Sequence, residues 1–335
     1  MSKMYKIKSV YIRIVVAIVA LLVIEPIAEK AEVSITFKTE IPYSSSGGTG
    51  LAYLDGKLYV VWRHINDDML NFMYSTDNGK TFTNKITIIE TSSAAPCIVA
   101  HNNAIYFSWI GIDDHKINIG WFTKWNSKGY QKITLGESSD DGASLASVGN
   151  TLYMSWKGYG NSALNFMEST DNGIKWINKI TFNNTCSTGP SLAYYNGGGA
   201  SSLNKLLYVA WGGIDRKLNW GYFAYANPIN LTSVHFYNNG EAPNISPSIG
   251  KSPSIAVVNG FMYIAYRANS DYSLHILYPY NNTTPTLTMS TSEVLPETSK
   301  EGINLLSVGN NELFMDWTGT DTYNKINVAG LKVPY

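Results

Sequence analysis

The chain has 335 residues, with 25 Lys and Arg balanced by 25 Asp and Glu, and only 15 % of its residues are charged. So low a charge, with 13 % aromatics led by 23 tyrosines, suits a β protein with aromatic-rich strands. No basic stripe runs through the sequence, which argues against a nucleic-acid partner held by phosphate contacts.

In chain order, Lys3, Lys6, Lys8 and Arg13 precede eleven uninterrupted apolar residues at 14–24 (IVVAIVALLVI). Eleven falls short of the roughly 20 that span a bilayer and suits the apolar core of an export signal. Around Ala28 and Ala31 the small residue three positions before a cut is missing. A cleaved signal peptide and an uncleaved N-terminal anchor therefore both stay open for residues 1–31. Either way the expected place of the body, residues 32–335, is secreted or on the extracellular surface. Membrane contact is expected only through the leader, if it is uncleaved.

Residues 34–37 (SITF) read as a strand. They match 85–88 (KITI) and 179–182 (KITF), which occupy the fourth strand of later repeats. The first repeat then runs strand 49–54, an Asp55-Gly56 hairpin turn, strand 57–62, a polar loop at 66–68, strand 70–75, a turn at 77–79 and an outer strand 80–89. Its second strand, LYVVW, recurs as IYFSW, LYMSW, LYVAW, MYIAY and LFMDW. These runs start at Leu58, Ile105, Leu152, Leu207, Met262 and Leu313, which are 47, 47, 55, 55 and 51 residues apart. A period near 40 to 50 residues filled with short strands predicts an all-β propeller of six four-stranded blades. The sixth repeat runs out after its third strand, so the N-terminal strand is expected to complete the last blade and remove two free edges.

Repeated residues read first as architecture. The aromatic that ends each second strand is expected to pack inside the protein. An apolar-Asn-apolar step follows at Asn71, Asn118, Asn165, Asn219 and Asn327, with His275 in the fifth repeat. Those Asn side chains would need internal partners, expected among backbone groups of the adjoining strand or loop. The alternative is that each blade offers an aromatic platform to a sugar. Cys97 and Cys186 precede the first strands of blades two apart; they read as two buried thiols, and a bridge would need their Cα atoms within about 7 Å.

Two turns carry more. Ser75-Thr76-Asp77-Asn78-Gly79-Lys80-Thr81-Phe82 and Ser169-Thr170-Asp171-Asn172-Gly173-Ile174-Lys175-Trp176 share the pattern Ser-x-Asp-x-Gly-x-x-aromatic, the Asp-box, at the same point of their repeats. The carboxylate can accept N–H groups of its own turn, the glycine supplies positive φ, and the aromatic tucks back into the blade. On these motifs the body resembles the sialidase-like, Asp-box six-bladed propeller superfamily. The resemblance implies that Ser75, Asp77, Gly79, Phe82, Ser169, Asp171, Gly173 and Trp176 are structural and lie on the face away from the ligand site. It also implies an arginine triad, a Tyr–Glu nucleophile pair and an Asp acid/base wherever the family cleaves sialosides. Here Glu40-Ile41-Pro42 puts Glu where the family's first Arg stands.

Outside the leader the only arginines are Arg63, Arg216 and Arg267. Arg63 and Arg267 share one slot of the repeat with Lys157, which favours a coincidence over a triad. Loops on the face opposite the Asp-boxes hold the remaining polar residues. Candidate ligand-binding residues are Arg63, Asp113, Asp215, Arg216, Arg267 and Asp321, and candidate catalytic groups are Asp113, Glu241 and Tyr323. Inter-blade loops add Glu137, Asp140, Asp141, Glu297 and Glu301. The pairs Asp67-Asp68, Asp113-Asp114 and Asp140-Asp141 lack a Ca²⁺-loop pattern and the histidines lack zinc spacing, so no metal or cofactor is expected.

Three functions follow. The leading one is a glycan-recognising propeller without the full sialidase machinery, its partner a glycan or glycoconjugate. Alternatives are an exo-acting, sialidase-type glycoside hydrolase and a non-catalytic protein-interaction scaffold.

Overall fold

The computed structural model describes residues 32–196, 205–224, 236–241, 248–279, 289–309 and 312–334. The leader, residues 1–31, lies outside the described residues. Among those described, no helix is long and apolar enough to cross a membrane.

Among the described residues, every regular element is a strand. One group comprises β1 (Ser34–Leu54), β2 (Lys57–His64), β3 (Met69–Ser75) and β4 (Thr83–Thr91). Next come β5 (Cys97–His101), β6 (Ala104–Ile110), β7 (Lys116–Phe122) and β8 (Tyr130–Ser138), then β9 (Ser144–Val148), β10 (Thr151–Lys157), β11 (Ala163–Ser169) and β12 (Ile177–Thr185). A further set is β13 (Ser191–Asn196), β14 (Lys205–Gly212), β15 (Leu218–Ala224) and β16 (Phe236–Glu241). The last strands are β17 (Ser254–Val258), β18 (Phe261–Arg267), β19 (Ser273–Pro279), β20 (Met289–Val308), β21 (Glu312–Gly319) and β22 (Lys325–Lys332).

All pairs are antiparallel. Strands β5 to β8, β9 to β12 and β13 to β16 make three separate four-stranded sheets. The remaining ten form one sheet, in the order β17-β18-β19-β20-β21-β22-β1-β2-β3-β4, because two long strands each serve two neighbours. The first half of β20 pairs with β19, and its second half, from Ile303, pairs with β21. Likewise β1 pairs with β22 from Ser34 to Ser44 and with β2 from Ser45 to Leu54. Register breaks between Ile41 and Ser44, Ser45 and Thr49, and Ser299 and Ile303 mark where each long strand passes from one partner to the other.

The first strands touch in sequence: β1 meets β5, β5 meets β9, β9 meets β13, β13 meets β17, β17 meets β20, and β20 meets β1. Apolar faces of successive sheets pack together. Phe72 of β3 meets Phe107 of β6 at 4.9 Å between ring centroids, and Phe166 of β11 meets Phe223 of β15 at 4.9 Å. Trp62, Trp109, Trp156, Trp211 and Trp317 are fully buried, and Tyr266 nearly so. The repeated aromatic is therefore packing, and its burial supplies much of the hydrophobic stabilisation of each unit.

The Asn step has the internal partners its burial demands. Nδ2 of Asn71, Asn118, Asn165, Asn219 and Asn327 donates to the carbonyl two residues earlier at 2.8–3.1 Å. In three of them Oδ1 accepts from a hydroxyl on the outer strand, Thr87, Thr134 or Thr181, at 2.6–2.7 Å. His275 instead stacks on Tyr266 and hydrogen-bonds Ser273. Both cysteines are free thiols.

A second repeat is not obvious by eye. Cys97, Ser144, Ser191 and Ser254 occupy one position of their strands, and each accepts an N–H from the next of the six strands that touch in sequence. The donors are Leu145 (3.4 Å), Leu192 (3.0 Å), Ile255 (3.2 Å) and Leu305 (2.8 Å). Cys97 is thus the thiol member of a series of hydroxyls, and burial pushes its thiol up to about 11.

Candidate functional site

The loops joining second to third strands are held by a common device. Asp67, Asp114, Asn161, Asp215, Asp271 and Asp321 each accept, through Oδ1, the N–H two residues on at 2.8–3.1 Å. Such Asx turns stop the backbone polar groups of a tight loop from going unpaired. Asp215 and Asp321 are therefore engaged by their own loops, and Asp321 also accepts the Lys325 N–H through Oδ2. Asp113 is exposed beside the engaged Asp114. Arg216 is exposed on a residue with φ of 63°, and Tyr323 is 67 % exposed at its loop tip. Glu241 ends β16 opposite Asn219; its side chain lies outside what the structure describes.

The shared slot at the end of the second strand braces the loops between sheets. Arg63 donates from Nε to Ser46 Oγ (2.6 Å), from Nη1 to the Ser92 carbonyl (3.1 Å) and from Nη2 to the Ser46 carbonyl (3.0 Å), with Asp68 at 3.2 Å. Arg267 is 5 % exposed, donates to the Ser299 carbonyl at 3.0 Å and lies 4.4 Å from the Tyr272 ring centroid. Burial lowers its pKa. Lys157 meets Asp140 at 3.1 Å. Two of the three arginines, Arg63 and Arg267, thus hold loop carbonyls, and the third, Arg216, stands on a turn. Glu40 pairs with Lys325 at 2.5 Å, while Glu137 and Glu297 pair with Lys179 and Lys38 on outer strands.

Side chains that do converge come from the loops between sheets. A cavity of about 270 Å³ is lined by Ser46, Arg63, Ser93, Asp140, Asp141, Lys251 and Glu301, among others. Asp141 accepts the N–H groups of Gly142 and Gly189, both at 2.7 Å, and Lys251 pairs with Glu301 at 2.7 Å. Beneath this mouth the axis narrows to a neck of about 90 Å³ lined by glycines, prolines and small residues such as Gly50, Pro96, Gly142, Pro190 and Pro253. It widens on the hairpin side to about 690 Å³. Among the described residues, no group of three or more His, Cys, Asp or Glu is placed to hold a metal ion.

The two Ser-x-Asp-x-Gly turns lie on the hairpin side. Asn102 of the β5–β6 turn donates to Asn172 at 2.6 Å. Ser75 Oγ donates to Asp77 and accepts the Gly79 N–H (2.8 Å); Asp77 accepts the Thr81 N–H (2.9 Å). Ser169, Asp171, Gly173 and Lys175 repeat the arrangement, and Trp176 Nε1 donates to the Gly173 carbonyl at 3.0 Å. Gly79 and Gly173 have φ of 84° and 79°, and Phe82 and Trp176 pack against the core. Hydrogen bonds from Ser75 and Thr81 hold the Asp77 carboxyl down at about 2.

Three features escaped the sequence-based expectations. Ser45, Ser92 and Ser139 cap the loops between sheets, each donating to the carbonyl two residues on at 2.7–2.9 Å. The Cys97-Ser144-Ser191 series is the second. Both run at 47-residue spacing, which is the signal that finds them. The third is Asp316, the acid of LFMDW, where other repeats carry Val61, Ser108, Ser155, Ala210 or Ala265. It is wholly buried, with only the Thr49 and Asn304 side chains beside its carboxyl and neither in good hydrogen-bond geometry, so desolvation outweighs them and pushes it up to about 8.

No protein-family description and no curated protein sequence matches the chain. Solved structures do. An α-L-arabinanase of Penicillium chrysogenum complexed with arabinobiose aligns with a TM-score of 0.58 at 12 % identity, over 90 % of this chain and 98 % of the other. The Hadza microbial sialidase Hz136 aligns at 0.61 and 10 % identity, over 86 % and 66 %. The SapL1 lectin in complex with α-methyl fucoside aligns at 0.51 and 12 % identity, over 74 % and 80 %. At such identities the likeness establishes the fold alone.

Proposed function

We propose that this sialidase-like β-propeller is an exported, six-bladed glycan-recognising protein that binds at its loop-face mouth and lacks the sialidase machinery. Dividing the ten-stranded sheet at its register breaks supports a count of six blades, and the β1–β22 pairing supports ring closure by the N-terminal strand. Export rests on the apolar leader. The observation that carries the ligand class is the mouth itself. Asp140, Asp141, Glu301, Lys251, Ser46 and Ser93 supply acceptors and donors suited to a hydroxyl-rich ligand. Arg63 and Arg267 are spent on loop carbonyls, so an acidic sugar finds no trio of cations for its carboxylate.

A second reading is favoured by one observation. Three carboxylates meet at the mouth, and glycosidic cleavage needs two. A hydrolase acting on neutral glycans would use Asp140, Asp141 or Glu301. One experiment separates the readings: a glycan array run beside fluorogenic sialosides and neutral glycosides, with wild type and Glu301→Gln. Neutral-glycan binding weakened by Glu301→Gln, without turnover, supports recognition. Turnover of neutral glycosides abolished by the same substitution supports the hydrolase. Sialoside turnover abolished by Arg216→Ala would overturn both.

A further inference from the structure

A cavity larger than the mouth on the loop face is the chamber of about 690 Å³ at the other end of the axis. Its size falls within the range of roughly 300–1,000 Å³ common for small-molecule sites. No Asp, Glu, Lys, Arg or His stands among its described lining residues. A charged ligand entering it would lose hydration with no counter-charge in return.

Its wall is not simply apolar either. Strands β5, β9, β13 and β17 each end a sheet, and the second halves of β1 and β20 pair on one side only. Those six free edges face the axis. An unpaired edge offers alternate N–H and C=O groups, and the Cys97, Ser144, Ser191 and Ser254 bonds each take up just one N–H of an edge. A purely apolar guest would strand the rest without water. Tyr194, Tyr195, Ser147, Asn259 and Ser307 add hydroxyls, an amide and two aromatic rings around the wide end.

A neutral wall, dense in donors and acceptors and bearing aromatic rings, matches an uncharged molecule with many hydroxyls. We propose that the hairpin-side chamber is a second ligand site, for a neutral saccharide, held by strand-edge backbone groups and the tyrosines. It is separated from the loop-face mouth by the glycine- and proline-lined neck. It holds whether or not the mouth binds glycans.

The test is calorimetric titration of the full chain with glucose, galactose, L-fucose and arabinobiose, against N-acetylneuraminic acid and glucosamine as charged controls. Ser307→Trp fills the chamber, Tyr195→Ala removes a ring, and Glu301→Gln alters only the mouth. Thermal melts establish that each variant folds. The expected result is binding of at least one neutral sugar that persists in Glu301→Gln, whatever that variant loses at the mouth; the persisting binding should be at least tenfold weaker when Ser307→Trp or Tyr195→Ala is added, and at least tenfold tighter than that of either charged control. No neutral binding at 10 mM, indifference to Ser307→Trp in a folded variant, or equal binding of the charged sugars would overturn the proposal. Loss of all neutral-sugar binding in folded Glu301→Gln would assign the sugar to the mouth and overturn it too.

Discussion

Replacing Asp316 by Asn should stabilise the protein at neutral pH, and by more as the pH rises. In the folded chain Asp316 is wholly buried between β1 and β20. Thr49 and Asn304 stand beside it, Val328 lies opposite on β22, and no charged group contributes to its titration. Desolvation raises the carboxyl from 3.8 to about 8. At pH 7 the unfolded chain has this group ionised while the folded chain keeps it protonated. Each unit of raised pKa costs about 1.4 kcal/mol, so the penalty at pH 7 is about 4 kcal/mol. Because the folded value lies above the unfolded one, the contribution is fully present below pH 4. It falls by about 1.4 kcal/mol per pH unit and is lost as the pH passes 8. Asn keeps the shape and cannot ionise. Denaturant unfolding of wild type and Asp316→Asn at pH 5, 6, 7 and 8 should give curves that diverge with pH, the variant gaining about 1.4 kcal/mol per unit. Parallel curves would refute the reasoning, for they would mean that the carboxyl ionises in place with solvent or a cation beside it.

Other consequences are more local. Ser144→Ala leaves the Leu192 N–H without its acceptor and should cost about 1–2 kcal/mol in the same unfolding assay. Gly79 has φ of 84°, and a Cβ there would meet the Leu58 side chain at 3.1 Å, so Gly79→Ala should cost about 1–2 kcal/mol. Burial pushes the Cys186 thiol up to about 12, so it should resist a thiol reagent at pH 8 in the native protein, while two thiols per chain react in denaturant without reductant. Fewer than two would mean a disulfide.

The architecture was legible because construction repeats. Trp62, Trp109, Trp156, Trp211 and Trp317 recur at the end of the same strand, and the largely unbroken apolar runs before them mark two buried faces. The Asn step was legible in the same way, down to its need for internal partners. The site was less so. A carboxylate in a loop looks the same in sequence whether it faces a ligand or its own backbone, and Asp215 and Asp321 are held by N–H groups two residues away. Arg63 and Arg267 look like ligand cations until their carbonyl partners are seen. Their shared slot with Lys157 was the clue to a bracing role. The chamber was invisible because backbone edges form its wall, and residue types carry no record of which edge stays unpaired.

Every placement of mouth, neck and chamber depends on a ring held shut by the first strand lying against the last. Hydrogen exchange of the backbone amides at 34–41, followed by mass spectrometry, reads that contact directly. Protection matching that of 326–331 across the pair is the result expected from the β1–β22 register. Exchange at the rate of a free chain end would contradict it.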